Sequence, residues 1–364
     1  MAQESKILFC IPSLGAGGAE RVISVLANQF IEHGYHVSVL MITHKLCVYP
    51  LNEKINIVCL SCDDDANLHV ANRFLTRLKK IRKAIKELSP DVVISFMSET
   101  NIDVCLAMAG MSIPLVVSER NDPVIDPASR AKRLMRKIAY MKPKWFVFQT
   151  PDAQAYFSRK IQKRSSIIFN PLTSILPQPY DGERERRIVA VGRLNKQKNF
   201  YMLIDAFSDF SRQHPGYTLS IYGEGNLEQS LKEYIALQGM EGSVVLEGFC
   251  KDIHHRILKA SMYVMSSDFE GMPNALLEAM AIGLPCISTD CPCGGPRMLI
   301  SPYENGLLVP VNDREKMLEA MSYMVEHPEL ARKMSVRAVD IRKKAHVDEI
   351  TKEWLKIVNR CKER

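Results

Sequence analysis

The stretch KILFCIPSLGAGGAERVISVLANQFIEHGYHVSVLMI, residues 6–42, carries the pattern on which the fold turns. Its opening KILFCIP is a continuous apolar run, as in a strand buried on both faces. Glycines follow. From Glu20 to His33 the apolar residues Val22, Leu26 and Phe30 recur at a spacing of four, which predicts a helix, and Gly34 stands just past its end. HVSVLMI (36–42) is a second strand-like run. A helical crossover between two such runs is the unit from which parallel sheets are built.

Further outward the alternation continues through NIVCL (56–60), DVVISFM (91–97), PLVVSE (114–119) and KWFVFQT (144–150). It breaks at PLTSILPQPYDGERERR (171–187), whose proline, glycine and charge read as a linker. It restarts with RIVAVGR (187–193), YTLSIYG (217–223), SVVLEGF (243–249), MYVMSS (262–267), PCIST (285–289) and GLLVPV (306–311), and the tail from Arg314 is helical. The expectation is an α/β protein of two doubly wound, Rossmann-like domains, 1–175 and 176–345. A last helix, 346–364, is expected to pack back on the first domain. Ligands of such sheets bind at the carboxyl ends of the strands, here expected between the domains.

Composition removes other classes. The 364 residues are 46% apolar and 24% charged, so disorder and low-complexity architectures are excluded. Single cores stop growing at about 250–300 residues, which favours two domains. No apolar run reaches the ~18 residues of a membrane span. The start, MAQESKILFC, has the acidic Glu4 and no basic leader, so it does not read as a signal peptide, and a cytoplasmic location is expected. Cys59 and Cys62 form a single C-x-x-C without a second pair, and Cys10, Cys105 and Cys286 lie in apolar runs; reduced cysteines and no zinc site are expected. Residues 1–180 hold 23 basic and 15 acidic residues, a net of +8, whereas 181–364 hold 25 and 26, a net of −1. The first half should therefore meet something anionic.

Three segments suit phosphate chemistry. Gly15-Ala16-Gly17-Gly18 follows the first strand and opens a helix, where backbone N–H groups favour an anion. Glu20 replaces the third glycine of a dinucleotide loop, and Thr43-His44-Lys45 lacks the ribose-binding acid, which argues against NAD or FAD. A tight turn with no ligand is the other reading. Gly192-Arg193-Leu194-Asn195-Lys196-Gln197-Lys198 puts Arg193 and Lys198 in one strand-to-helix turn, a fork and a point charge for a diphosphate, or a solvated basic loop. In DFEGMPNALLEAMAIGLP (268–285) a strand ends, a Gly/Pro loop turns, and a helix begins near Asn274. The first-turn N–H groups of Asn274, Ala275 and Leu276 are expected to meet phosphate, and Glu278 is placed to accept ribose hydroxyls or to lie in solvent.

The E-x7-E spacing of Glu270 and Glu278 is similar to that of retaining glycosyltransferases of the GT-B fold, most closely family 4. EGMPNALLEAMAIGLPCIST, GRLNKQKN, YGEG (222–225), LEGF (246–249) and GAGGAER resemble that family's segments in order along nearly the whole chain. SERNDP (118–123) further resembles enzymes that add hexosamines to lipid-linked sugars in capsule and glycan assembly. The resemblance implies that Gly192, Arg193 and Lys198 bind the donor diphosphate and that Glu278 binds the ribose. Glu270 would face the transferred sugar, and Asn274, Ala275 and Leu276 would hold the β-phosphate. Gly17 and Gly18 would close over it from the first domain, and Phe249 and Cys250 would lie near the base. Glu270, Arg193 and Lys198 are the implied catalytic residues. Two departures stand out: Ser118-Glu119-Arg120-Asn121 has no His where many members have one, and Met298 stands where Glu is common.

The implied reaction moves a hexose or N-acetylhexosamine from a UDP-sugar to a glycan, polyprenyl-diphosphate-linked, in cell-surface polysaccharide synthesis. No metal or other cofactor is expected, since Asp63-Asp64-Asp65 lies in a linker-like stretch. The acceptor or lipid surface is assigned to Arg73, Arg77 and Lys80, a basic row beside the apolar stripe Phe74, Leu78, Ile81, Ile85 and Leu88, together with Glu119, Arg120 and Asn121. An ordinary solvated helix is the alternative for that row. RAKRLMRK (130–137) adds a second basic cluster. Nucleic acid is not expected, because no RNA-binding signature accompanies the charge. The site is expected on the cytoplasmic face of a membrane. The rivals are a GT-B-shaped epimerase or phosphorylase, and a non-catalytic partner subunit that binds a lipid-linked glycan or a membrane. The second predicts a degraded donor site, whereas Arg193, Lys198, Glu270 and Glu278 are all present.

Overall fold

The computed structural model describes residues 5–43, 47–61, 70–173 and 175–363. Glu4, His44 and Lys45, Cys62 and Asp63-Asp64-Asp65 lie outside them. In chain order the first elements are β1 (Lys6–Ile11), α1 (Gly18–Glu32), β2 (His36–Met41), β3 (Asn56–Cys59), α2 (Val70–Leu88), β4 (Val92–Phe96), α3 (Ser98–Ala107) and β5 (Leu115–Ser118). Next come α4 (Arg130–Ala139), β6 (Trp145–Phe148), α5 (Pro151–Ala155), α6 (Arg159–Gln162) and β7 (Ser165–Ile167). After the break follow β8 (Glu185–Val191), α7 (Phe200–Gln213), β9 (Thr218–Tyr222), α8 (Glu228–Leu237), β10 (Val244–Gly248), α9 (Ile253–Ile257), β11 (Ala260–Met265) and α10 (Asn274–Ala281). The chain ends with β12 (Cys286–Thr289), α11 (Gly295–Leu299), β13 (Leu307–Val309), α12 (Arg314–Glu326), α13 (Pro328–Ala338), α14 (Ile341–Lys344) and α15 (Val347–Lys362).

Two compact units result: Met1–Pro171 with His346–Arg364, and Leu172–Ala345. The first holds a parallel sheet of order β3-β2-β1-β4-β5-β6-β7, the second one of order β10-β9-β8-β11-β12-β13. The strand order reverses between β1 and β4 in one, and between β8 and β11 in the other. At these points the outgoing loops diverge to opposite faces and leave a crevice. Every strand expected from the sequence is present. β7 was not foreseen, because Ser165–Ile167 is too short to show a period; it joins the sheet by pairing Phe148 with Ile167.

The Pro-rich segment is not a free tether. Tyr180 N donates to the Ile282 carbonyl (3.4 Å), Arg184 Nη1 to that of Ala260 (3.1 Å), and Arg332 grips Asp181 with two hydrogen bonds of 2.8 Å. These ties fix the segment to the second unit. α15 contributes Ile350, Trp354, Ile357, Val358 and Cys361 to the core of the first unit, among Phe9, Phe30 and Phe96. Trp354 stacks on Phe96 with centroids 5.6 Å apart. The Cys10, Cys105, Cys286, Cys291, Cys293 and Cys361 thiols are buried and form no disulfide among the described residues, and burial raises those of Cys10, Cys105 and Cys286. Among the described residues no helix is long and apolar enough to cross a membrane.

Because Trp354 is fully buried, Trp354→Ala leaves a cavity that the sheet cannot close. The expected loss is about 3–5 kcal/mol of unfolding free energy, read from urea or guanidinium titration, with an unchanged m-value.

Candidate functional site

The reversal point of the second unit gathers the residues singled out above. Lys198 closes a single 3-10 turn (Lys196–Lys198) in the loop after β8, and its own N–H donates to the Asn195 side chain. Glu270 leaves the loop after β11. The two meet across the crevice: Lys198 Nζ lies 2.6 Å from Glu270 Oε1, and Ser267 Oγ donates to the same oxygen at 2.8 Å. Oε2 has no protein partner among the described residues.

Backbone contacts zip the two loops together. Asp268 N donates to the Gln197 carbonyl (2.8 Å), Gln197 Nε2 to that of Phe269 (2.9 Å), and Ser266 Oγ to that of Lys198 (2.7 Å). Asn199 Nδ2 donates to Asp268 Oδ1 (2.8 Å), while Asn199 itself sits in the left-handed region at φ 47° and caps α7. Burial holds the Asp268 carboxyl above its usual range, against that hydrogen bond. The loop after β12 closes the other side: Glu270 N donates to the Pro292 carbonyl (2.7 Å) and Cys293 N to that of Glu270 (3.0 Å).

Two glycines sit at close approaches. A Cβ on Gly192 would stand 2.9 Å from Lys198 Cε, so a larger residue there would shift the lysine side chain. A Cβ on Gly295 would fall 1.7 Å from the Gly271 carbonyl oxygen, inside the backbone of the Glu270 loop.

α10 begins at Asn274, as expected. Pro273 precedes it and supplies no side-chain cap to the first turn of Asn274, Ala275 and Leu276. Such a turn presents its N–H groups and the positive end of the helix dipole to an anion. Arg193 stands exposed at the end of β8 with no ion pair among the described residues. Phe249 and Cys250 follow β10, the first exposed and the second half-buried. Met298 is half-buried on α11.

Glu278 is buried one turn into α10, and its Oε2 lies 2.9 Å from His254 Nε2. His254, on the one-turn helix α9, is the residue that sequence reasoning missed. The signal was there: it follows Phe249 and Cys250 by four or five positions, and a His-His pair in a polar strand-end loop is a marker of its own. Among the described residues no three His, Cys, Asp or Glu side chains converge on a common centre.

In the first unit Gly17 is the residue before α1 and Gly18 opens it, at the reversal between β1 and β4. Gly17 adds no side-chain cap to α1, and the Glu20 carboxylate lies over it: a Cβ on Gly17 would stand 2.2 Å from Glu20 Oε2. Glu119 corrects the expectation of an acceptor surface. It is 1% exposed, bonded to the Tyr140 hydroxyl, and 3.6 Å from Arg136, itself buried on α4. Tyr140 and Arg136 lie far along the chain, and nothing in SERNDP signals that they return over it. Arg120 is half-buried, with Nη2 2.6 Å from Asn170 Oδ1 and its guanidinium 4.8 Å from the Phe96 ring centroid. Asn121 is half-buried beside it. On α2, Arg77 pairs with Asp103 at 2.8 Å and Arg82 donates to the carbonyls of Ala107 (2.7 Å) and Ala109 (2.8 Å). Arg73 and Lys80 are half-buried, while Lys79, Lys83 and Lys86 face outward. The basic row is thus partly spent on α3.

The family model described as "Glycosyltransferase Family 4" matches residues 16–172, and the one described as "Glycosyl transferases group 1" matches 177–340. The chain belongs to the group 1 glycosyltransferases of the GT-B fold. Among its relatives, an uncharacterized glycosyltransferase of Haemophilus influenzae is 28% identical over 352 residues, covering 96% of this chain and 98% of its own. A Campylobacter jejuni enzyme is 27% identical over 364 residues, covering 98% and 99%; it is the GalNAc-alpha-(1->4)-GalNAc-alpha-(1->3)-diNAcBac-PP-undecaprenol alpha-1,4-N-acetyl-D-galactosaminyltransferase. HepE of Anabaena, solved in complex with UDP, superposes with a TM-score of 0.78 at 17% identity, covering 98% of this chain and 100% of that one.

Burial pushes the Glu119 carboxyl up to about 7, opposed by the Arg136 charge and the Tyr140 hydrogen bond. The folded state therefore holds this proton more tightly than the unfolded chain. The stabilisation is complete below the unfolded value near 4.5 and is lost as pH rises through 7. Glu119→Gln removes the titration. Relative to wild type, the variant's melting temperature should be higher at pH 8 than at pH 5 by several degrees, in a thermal denaturation series; a pH-independent difference contradicts this.

Proposed function

We propose that the protein is a retaining glycosyltransferase that moves a hexose or N-acetylhexosamine from a UDP-sugar to a polyprenyl-diphosphate-linked glycan. The observation that carries the reading is the meeting of Lys198, Glu270 and the N-terminus of α10 at one strand-order reversal. Two cations and a helix N-terminus around one crevice match a nucleoside diphosphate. UDP in the HepE complex and the undecaprenol diphosphate in the Campylobacter jejuni enzyme's name support the donor and acceptor classes.

In this reading Lys198 and the N–H groups of Asn274–Leu276 meet the diphosphate, and Arg193, unpaired and exposed, folds onto it. Glu278 accepts the ribose hydroxyls, oriented by the hydrogen bond to His254, and the base lies by Phe249 and Cys250. Glu270 faces the sugar. The bond from the anomeric carbon to the phosphate oxygen breaks while the acceptor oxygen bonds to that carbon on the same face. The acceptor proton passes to the departing phosphate oxygen. The developing charge is stabilised by groups already in place, the largest electrostatic contribution an active site commonly makes. Lys198, Arg193 and the helix end take the role that a metal ion fills elsewhere, so no metal is required. The acceptor meets the basic first unit, through Arg120 and Asn121 and the outward lysines of α2, at the cytoplasmic face of a membrane.

The test is transfer from UDP-hexoses and UDP-N-acetylhexosamines to undecaprenyl-diphosphate-linked glycans, read by mass spectrometry, with and without chelator. Lys198→Ala should lower kcat about 10²–10³-fold. Arg193→Ala should weaken UDP binding with stability unchanged to within about 0.5 kcal/mol. Release of UDP at the same rate without acceptor would favour the epimerase or phosphorylase class. Loss of activity on chelation would overturn metal independence.

A further inference from the structure

α4 is built the wrong way round for a core helix. An amphipathic surface helix normally turns its apolar stripe inward. Here Leu134 and Ile138, one turn apart on α4, and Met141 in the turn that follows are 62%, 59% and 72% exposed and form one ridge. The charges are what the helix spends on its own fold. Arg136, fully buried, donates to the carbonyls of Asp126 and Pro123, both at 2.7 Å. Arg133 donates to those of Pro127 (2.8 Å) and Ala128 (3.0 Å). Lys132 pairs with Glu99 of α3 at 2.6 Å. These bonds draw the preceding loop against the helix and hold it with Val124 and Ile125 exposed as well. Arg130 and Lys137 remain, exposed beside the ridge and without an ion pair among the described residues.

α4 belongs to the same helical layer as the basic helix α2. α3 packs against both, and most of its residues are buried. The outward side of this layer therefore carries an apolar ridge on one helix and Lys79, Lys83 and Lys86 on another. We infer that the ridge Leu134–Ile138–Met141, flanked by Arg130 and Lys137, docks on the surface of an anionic lipid bilayer.

The charge decides between occupants. A ridge of large aliphatic side chains flanked by cations matches the acyl boundary below a layer of anionic headgroups. A second copy of this chain, seated symmetrically on the same face, would bring Arg130 and Lys137 against their own copies and pay for that repulsion. The surface deepens the proposed function, since an acceptor carried on a polyprenyl chain is reached only from a membrane. It can nonetheless fail on its own.

The experiment is flotation with vesicles of phosphatidylglycerol and phosphatidylethanolamine, against vesicles of phosphatidylcholine, with UDP affinity measured on the same samples. Wild type should bind the anionic vesicles. Leu134→Ser/Ile138→Ser/Met141→Ser should lower the partition coefficient about tenfold or more. Arg130→Glu/Lys137→Glu should lower it too and flatten its salt dependence. UDP affinity should be unchanged in both. Equal partitioning of wild type and the triple variant overturns the inference, as does a wild-type dimer in sedimentation velocity that the triple variant dissolves. Wild type that floats with anionic vesicles but binds no UDP leaves this surface standing and removes the donor reading.

Discussion

The second unit depends on one buried ion pair. Lys198 and Glu270 are 72 residues apart in sequence and 2.6 Å apart in space. They come from the two strands, β8 and β11, between which the sheet reverses its order. Glu270 is buried and Lys198 half-buried, so each neutralises a charge that the other would otherwise leave unpaired. The pair therefore ties the loop after β8 to the loop after β11, and the contacts of Gln197 and Asn199 follow from that registration. The same pair leaves an ammonium and a carboxylate oxygen at the mouth of the crevice. The proposed chemistry would use the same atoms that hold the two loops together.

Much of this was legible in the sequence because each motif has its own local cause. The glycines of GRLN and CGGP stand where another chain segment passes too close for a Cβ. The helix after Pro273 begins where a proline and a Gly-rich loop place it. The alternation of apolar runs with helical periods set the two sheets without reference to distant contacts. The residues that were misread or missed all owe their state to partners remote in sequence. Glu119 looked like a surface carboxylate until α4 brought Tyr140 and Arg136 onto it. Arg77 looked free until Asp103 of α3 took it. His254 acquires its role only through Glu278, 24 residues away on another helix. The Pro-rich linker does begin at the boundary between the units, and what the sequence hides is its attachment: Arg184, Arg332 and Arg342 tie it to elements far along the chain.

The basic excess of the first half divides in the same way. Some cations are consumed by structure: Arg77 and Arg82 brace α3, and Arg133 and Arg136 fold a loop onto α4. The remainder point outward from α2 and α4, where they accompany the exposed aliphatic ridge. A net charge counted from sequence thus overstates what a partner meets. The fraction left at the surface is what can attract an anionic lipid or a diphosphate.

A crystal structure with UDP bound decides which phosphate-binding turn the nucleotide uses. The diphosphate should lie at the N-terminus of α10, with a phosphate oxygen about 3 Å from Lys198 Nζ and from the first-turn N–H groups, and with the ribose against Glu278. UDP bound only along the Gly15–Gly18 turn of the first unit, with the Lys198–Glu270 crevice untouched, would contradict it.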